Sequence, residues 1–169
     1  MTTAVTLSVP LDTRFWWRWA SVFLIASFLV FLATLPPLVS PVWRALLMQA
    51  FSGACHQIAE RSPAIGGVPL AVCHRCYGIY GGLAIAPLLY LGIATRSAFL
   101  SRYAVIILFG SLMPAAIDWL LGVIGVWHNS PASRLLTGAL FGIVAGIYLV
   151  QALTQTVRHS TCNPLAIEE

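Results

Sequence analysis

The chain has 169 residues, of which 59% are hydrophobic and only 8% are charged, whereas a soluble domain carries about 25% charged residues. So few charges cannot solvate the surface of a chain of this size, which excludes an ordinary soluble protein and leaves lipid as the expected solvent. The net charge of +4 comes from scattered arginines, without a basic stripe or a stacking platform, so we expect no nucleic-acid partner. The length is that of a single domain.

Four apolar stretches are each long enough to cross a bilayer, whose hydrocarbon core takes about 20 helical residues. They span about 15–35, 72–94, 103–126 and 132–153. Pro36 and Pro37 end the first stretch, because proline cannot continue helical hydrogen bonding. We expect that stretch to be a retained helix and not a signal peptide, since its apolar run is long and no small-x-small cleavage site follows it.

The segment at about 41–60 has a different pattern. Apolar residues recur there at helical spacing, with Arg44, Gln49 and His56 between them. This pattern predicts an amphipathic helix that lies at the membrane interface or re-enters the membrane. A fifth span is the alternative, although the apolar run is short. The polar tail at about 154–169 is predicted to be flexible.

The expected fold is therefore an all-α integral membrane bundle of about four transmembrane helices plus one interfacial or re-entrant amphipathic helix. Four spans place both termini on one side of the membrane. Five arginines fall on that side, at positions 14, 18, 96, 102 and 158, and four fall on the other. The excess of positive charge on the cytoplasmic side of membrane proteins then predicts that both termini are cytoplasmic. Segment 41–70 and loop 127–131 are expected outside.

Small residues on the last two spans indicate which faces pack. Gly138, Gly142 and Gly146 recur every four residues, and such a stripe lets membrane helices approach closely, within one chain or between two copies in a homo-oligomer. Arg134 lies on the same stripe, one turn earlier, so we expect it to face inward. Asp118 is the only acid within a span, and a carboxylate at that depth is expected to face a partner or a wet cavity.

Three of the four cysteines gather at the predicted outer side, namely Cys55, Cys73 and Cys76, whereas Cys162 stands alone in the tail and is interpreted as incidental. A Cys-x2-Cys pair is the most common half-site for tetrahedral zinc. Cys55, Cys73 and Cys76 with His56 are therefore a candidate zinc site. His74 is the alternative fourth ligand.

Redox chemistry is a second interpretation of the same cysteines. A Cys-x-x-Cys pair at a helix N-terminus has a lowered thiol pKa, and Arg75 within the motif adds to that effect. Cys73 and Cys76 are then expected to exchange disulfides or to pass electrons to a quinone, with Cys55 as a third thiol. A structural disulfide or inert buried thiols are the simplest alternatives.

Several motifs together resemble the domain-of-unknown-function 2085 family, a group of small predicted prokaryotic membrane proteins. They are Cys55-His56-Gln57, Glu60-Arg61-Ser62, Cys73-His74-Arg75-Cys76-Tyr77-Gly78-Ile79-Tyr80-Gly81, and then Asp118, Asn129, Arg134 and Thr137-Gly138. The resemblance covers about 51–142. It implies an integral protein of a prokaryotic inner or plasma membrane and brings no established activity. It favours His56 over His74 as the fourth ligand, because the position between the paired cysteines is variable in such motifs.

Three functions follow as hypotheses, and whether the protein is an enzyme stays open. The first is a zinc–thiolate membrane protein in which Asp118, Asn129 and Arg134 form a catalytic pocket for a lipid-linked or anionic substrate. The second is the thiol–disulfide or quinone-coupled oxidoreductase. The third is a non-enzymatic carrier or assembly factor in which Asp118 and Arg134 form an intramembrane ion pair.

Overall fold

The computed structural model describes residues 13–127 and 129–159, with the side chains of Thr95 and of residues 155–159 left out. These parts of the chain form six α-helices and one small hairpin. The helices are α1 (Thr13–Thr34), α2 (Pro41–Ser52), α3 (His74–Ile93), α4 (Ser97–Arg102), α5 (Ala104–Val123) and α6 (Pro131–His159). The hairpin pairs β1 (Ala64–Ile65) with β2 (Val68–Pro69). Single 3-10 turns lie at Pro36–Leu38, Ala59–Arg61 and Ala94–Arg96.

Four of the described helices, α1, α3, α5 and α6, are long and apolar enough to cross a membrane. The expected all-α membrane bundle is thereby confirmed, and the four predicted stretches match these helices to within a few residues at most ends. The exception is the end of α6, which continues to His159, beyond the predicted limit of 153. The rest of the predicted flexible tail, with Cys162, lies outside the described residues, as does His128.

Helices α3 and α6 form the centre of the bundle, and their backbones are in contact along most of their length. Gly78 and Gly82 of α3 face the backbone of α6, and Gly138 and Gly142 of α6 face the backbone of α3. A Cβ atom at any of these positions would overlap a backbone atom of the other helix. The predicted glycine stripe therefore packs within one chain, as small residues allow in membrane helices.

The other two long helices flank this pair. Helix α1 packs mainly on α3 and also touches α6, while α5 packs on α6. Large apolar side chains point away from the bundle on both flanking helices, among them Ile25 and Phe28 of α1 and Ile106 and Phe109 of α5. A surface of this composition suits lipid and would be unstable in water.

The buried side chains form two clusters at opposite ends of the bundle. One joins α1, α3 and α6 around Phe15, Tyr90 and Val150. The other lies where α3 begins and includes Phe51, Cys55 and Val72. We call this second end of the bundle, where α1 and α5 end and α3 and α6 begin, the site end.

The predicted helix over about 41–60 is too long. Helix α2 ends at Ser52, and the N–H groups of Ala54 and Cys55 both donate to the carbonyl of Phe51, which closes the last turn. Gly53 lies just past the helix, and glycine is among the residues least favourable to continuing a helix. The chain then enters a loop that carries Cys55 toward α3.

The hairpin that follows is absent from the sequence-based expectations. Gly66 and Gly67 have φ of 59° and 78°, and two consecutive left-handed residues make the tight turn that joins twisted antiparallel strands. The N–H of Ala71 then donates to the carbonyl of Ala33 at 3.0 Å, which fixes the end of the hairpin to α1. The hairpin thereby brings the chain back to the site end two residues before Cys73.

Candidate metal centre and arginine-lined cavity

Three thiols meet at the site end. The sulfur atoms of Cys55, Cys73 and Cys76 all lie within 4.8 Å of one another, and none of the three is in a disulfide. Cys73 is the N-cap of α3, and Cys76 lies in its first turn, so the helix itself sets the spacing of this pair. Cys55 reaches them from the loop after α2 and is buried. The three cysteines that the sequence singled out are thus brought together.

The loop that carries Cys55 is held by Gln57. The side-chain amide of Gln57 donates to the carbonyl of Met48 at 2.7 Å and to that of Ala71 at 2.8 Å. Gln57 also has a φ of 50°, which is uncommon for a residue other than glycine and which tertiary contacts must maintain. These bonds join the end of α2 to the segment before α3, and so they place Cys55 against Cys73.

The polypeptide around Cys73 stabilises negative charge on sulfur. The N–H of Cys73 donates to the sulfur of Cys55 at 3.2 Å. The thiol of Cys76, and to a smaller extent the N–H groups at the start of α3 and the Cys55 thiol, lower the pKa of Cys73 to about 4, against the opposing effect of burial. Thiolate is both the metal-binding and the nucleophilic form of cysteine. The surroundings of Cys73 therefore favour both metal binding and nucleophilic attack by its sulfur.

The two predicted histidine ligands lie apart from the sulfurs. The ring of His56 is not among the groups that converge on the three sulfurs, although His56 borders the same cavity and is exposed. His74 donates from Nδ1 to the carbonyl of Arg61 at 2.7 Å, which ties the 3-10 turn at Ala59–Arg61 to the start of α3. Within the described residues, three sulfurs converge without a fourth protein ligand.

A polar network lies beside the sulfurs. A guanidinium N–H of Arg75 donates to the carboxylate of Asp118 at 2.8 Å, and the side-chain amide of Asn129 donates to the same carboxylate oxygen at 3.0 Å. Asp118 is 8% exposed, so its charge is buried and compensated as the cost of burial requires. The ion pair proposed between Asp118 and Arg134 is therefore wrong, because Arg75 reaches Asp118 from the first turn of α3.

Both features face one cavity of about 700 Å³ at the site end. Its polar wall consists of the three cysteines, His56, Gln57, Arg61, Arg75, Asn129 and Arg134. Its apolar wall includes Ile79 of α3 and Trp119, Val123 and Trp127 of α5 and the loop after it. None of the described residues that line the cavity is acidic. The cavity thus combines sulfur ligands, positive charge and an apolar side.

Some polar atoms near the cavity have no partner among the described residues. They include the buried Nε of Arg75 and the buried Oδ1 of Asn129. The side chain of Asn129 packs directly against Gly122, so a Cβ on Gly122 would overlap it. Buried donors without acceptors are rare in proteins, and each requires an explanation. A bound ligand is one such explanation.

The fold and the site define a polytopic helical membrane protein with a three-cysteine centre. The family described as predicted membrane protein, DUF2085, matches residues 55–148. This match covers more than half of the chain, so the protein belongs to that family. The match contains all three clustered cysteines and the whole of the Arg75–Asp118–Asn129 network.

An archaeal relative is also similar to part of this chain. An uncharacterized protein of Methanocaldococcus jannaschii is 32% identical over 106 residues, which are 62% of this chain and 66% of the relative. The match thus spans just under two thirds of that relative's own length. No solved structure gives a significant match. These comparisons support a membrane protein and give no activity, so the chemistry must be argued from the geometry of the site.

Most polar residues of the cavity wall could be predicted from the sequence, but the contacts that hold them in place could not. Asp118, Asn129 and Arg134 all lie at or beside the cavity, as the inward-facing small residues indicated. The role of Gln57 was missed, because two side-chain bonds to distant carbonyls leave no sequence pattern. Trp119 and Trp127 were also missed, because tryptophans at a helix end fit a membrane interface equally well.

Proposed function

We propose that this protein is a membrane metal–thiolate protein in which Cys55, Cys73 and Cys76 bind one zinc ion. The observation that carries the proposal is the convergence of three free thiol sulfurs within 4.8 Å of one another. Tetrahedral zinc–thiolate bonds of about 2.3 Å separate neighbouring sulfurs by roughly 3.8 Å. Small side-chain movements would therefore bring the three sulfurs onto one ion.

The surroundings suit a charged centre. Three thiolates in close contact repel one another unless a cation compensates them. The N–H bond from Cys73 to the sulfur of Cys55 is the kind of outer-shell contact that orients a ligand sulfur. Zinc and copper(I) are the metals that thiolate ligands select, and zinc also accepts an oxygen or nitrogen as a fourth ligand.

The fourth position on the ion decides what the site does. All three cysteines line the cavity, so an ion bound to them would be reached from it. Because His56 is not among the groups that converge on the three sulfurs, we propose that the fourth position would be open to water or an anionic substrate, for which a bound zinc ion would supply Lewis-acid polarisation. Asn129 and Arg134 line the cavity and would orient the substrate, while Asp118 would act through Arg75. The site end is expected on the outer face of the membrane.

Thiol–disulfide exchange is a second candidate, and the lowered pKa of Cys73 favours it. A thiolate at Cys73 beside the thiol of Cys76 is the arrangement that attacks a disulfide. The two proposals differ in what the purified protein contains. The metal proposal requires an ion and three reduced cysteines, whereas the exchange proposal requires a reducible pair and no ion.

Metal analysis with thiol counting separates the two. We expect purified protein in maltoside detergent to hold one zinc per chain, with the thiols of Cys55, Cys73 and Cys76 reacting with a maleimide only after chelation. Cys73→Ser should weaken zinc binding by more than about tenfold, since loss of an outer-shell partner alone already costs about 10–100-fold in affinity. Cys162→Ser is the matched control and should retain full zinc.

Two results would contradict the metal proposal. One is a protein without stoichiometric zinc, copper or iron whose Cys73 and Cys76 form a disulfide under air and open with dithiothreitol. The other is a Cys73→Ser variant that holds as much metal as Cys162→Ser. The first of these would support disulfide exchange.

A further inference from the structure

Three arginines line the cavity from three different parts of the chain. Arg61 comes from the 3-10 turn before the hairpin, Arg75 from the first turn of α3, and Arg134 from the first turn of α6. The acid next to them, Asp118, compensates only Arg75 and does not line the cavity. The described wall of the cavity therefore carries an excess of positive charge.

The donors of these arginines are largely unused. Among the described residues, neither Arg61 nor Arg134 has a side-chain hydrogen bond or an ion pair, and the Nε of Arg75 is buried without an acceptor. Burying a polar donor without an acceptor costs free energy. A guanidinium group presents its donors in a planar fork that fits two oxygens at once. An oxyanion in the cavity would accept hydrogen bonds from the unused donors of Arg61 and Arg134.

The network behind Arg75 fixes its orientation. Asp118 holds one terminal nitrogen of Arg75, and Asn129 donates to the same carboxylate oxygen. The remaining donors of Arg75 keep a fixed place beside the cysteines, and no further acid competes for them among the residues that line the cavity. Asp118 and Asn129 are thus positioning residues for an anion that the arginines bind.

We propose that this cavity binds a phosphate group, carried by a lipid headgroup or free in solution. A phosphate carries a charge of about −1.5 to −2 and three acceptor oxygens, which matches three arginines better than the single charge and two oxygens of a carboxylate. The inference rests on the proposed function only in placing the phosphate beside the metal, because the arginines do not need the metal to bind it.

The wall opposite the arginines indicates that the rest of the ligand is apolar. Trp119, Val123 and Trp127 line the cavity and are each more than half exposed on the outer side of α5 and the loop after it. On a membrane-spanning helix that exposed side meets lipid, and tryptophan is common at the level of lipid headgroups. A lipid phosphate could therefore enter from the side, and a free phosphate from the open end.

Calorimetric titration of the full-length protein in maltoside detergent, which contains no phosphate, tests the proposal. The probes are inorganic phosphate, dihexanoyl phosphatidic acid and hexanoate. We expect saturable binding of phosphatidic acid, of inorganic phosphate, or of both, and no comparable binding of hexanoate. Binding of phosphatidic acid alone would identify a lipid phosphate as the ligand, and binding of inorganic phosphate alone would identify free phosphate. Equal binding of both would show that the phosphate group by itself is recognised.

Single substitutions locate the site. Arg134→Gln and Arg61→Gln should each weaken phosphate binding by about tenfold or more, because each removes a charge-assisted hydrogen bond. Arg61 is exposed, so its variant should fold normally. Arg96→Gln is the matched control, since Arg96 is exposed at the other end of α3, and it should bind as the wild type does.

Three results would overturn the inference. The first is that the wild type binds neither phosphate probe at millimolar concentration. The second is that it binds hexanoate as tightly, and the third is that Arg61→Gln and Arg134→Gln both bind like Arg96→Gln.

The double variant Cys73→Ser/Cys76→Ser separates the two proposals. If it lacks metal and still binds phosphate, the arginines suffice for phosphate binding. If zinc-loaded wild type binds no phosphate, the metal proposal stands and this inference falls.

Discussion

Arg75 links the two halves of the site. It stands between Cys73 and Cys76 in sequence, and its guanidinium group reaches Asp118 of α5 at 2.8 Å. A residue within the Cys-x-x-Cys spacer thus connects the thiols to the polar network. The cysteines and Asp118 are then parts of one site, and their positions are coupled through a single side chain.

A double-mutant cycle should detect this pairing. Asp118→Asn keeps the shape of the side chain and removes the charge that compensates Arg75. We expect it to lower the free energy of unfolding by about 2 kcal/mol, less than for a fully buried pair, because the side chain of Arg75 is 26% exposed. Arg75→Gln combined with Asp118→Asn should cost less than the sum of the two single changes.

The control for this cycle is the pair Asp118 and Arg134, which the sequence suggested as an ion pair. Arg134→Gln and Asp118→Asn should be additive to within roughly 0.5 kcal/mol, since the two residues do not interact in the structure. Unfolding by dodecyl sulfate in mixed micelles measures all of these values. If Asp118 couples to Arg134 as strongly as to Arg75, the network described above is wrong.

At the scale of elements, the site depends on how closely α3 and α6 approach. Gly138 lies against the backbone of Arg75, and Gly142 lies against that of Ile79. These contacts bring Arg134, one turn before Gly138, to the same cavity as Arg75. The glycine stripe therefore stabilises the bundle and also sets the distance between two arginines of the cavity.

Gly142→Ala should destabilise the protein because its methyl group would overlap the carbonyl of Ile79. We expect a loss of about 1–3 kcal/mol, the usual cost of overpacking. Gly110→Ala is the matched control on α5, where nothing lies near the added atom, and it should be neutral or slightly stabilising. Equal thermal midpoints for the two variants would contradict the described α3–α6 interface.

The loop between α2 and α3 shows where prediction from sequence ends. Apolar length and glycine spacing depend on neighbouring residues, so the spans and the packing face of α6 could be predicted, whereas α3 as its partner could not. The end of α2, the hairpin and the anchoring by Gln57 depend on contacts between distant segments. The cysteine cluster was predictable from Cys73 and Cys76, whereas the separation of His56 from the three sulfurs was not, because adjacent residues in an irregular loop can point in different directions.

At the scale of the whole molecule, four apolar helices carry one polar site at one end. Their lipid-facing surfaces have large apolar side chains, while three cysteines and three arginines meet in one cavity where α3 and α6 begin. Burying charges at a helix end is less costly than burying them at mid-membrane depth. The cytoplasmic location of both termini, and with it the outer position of the site, stays a prediction from the arginine count.

The central claim is that three sulfurs bind one metal ion in this membrane bundle. X-ray absorption at the zinc edge on purified, zinc-loaded protein tests it most directly. We expect three sulfur neighbours at about 2.3 Å and one oxygen or nitrogen at about 2.0–2.1 Å, and Cys55→Ser should reduce the sulfur count to two. A zinc environment of oxygen and nitrogen alone, or one that Cys55→Ser leaves unchanged, would contradict the claim.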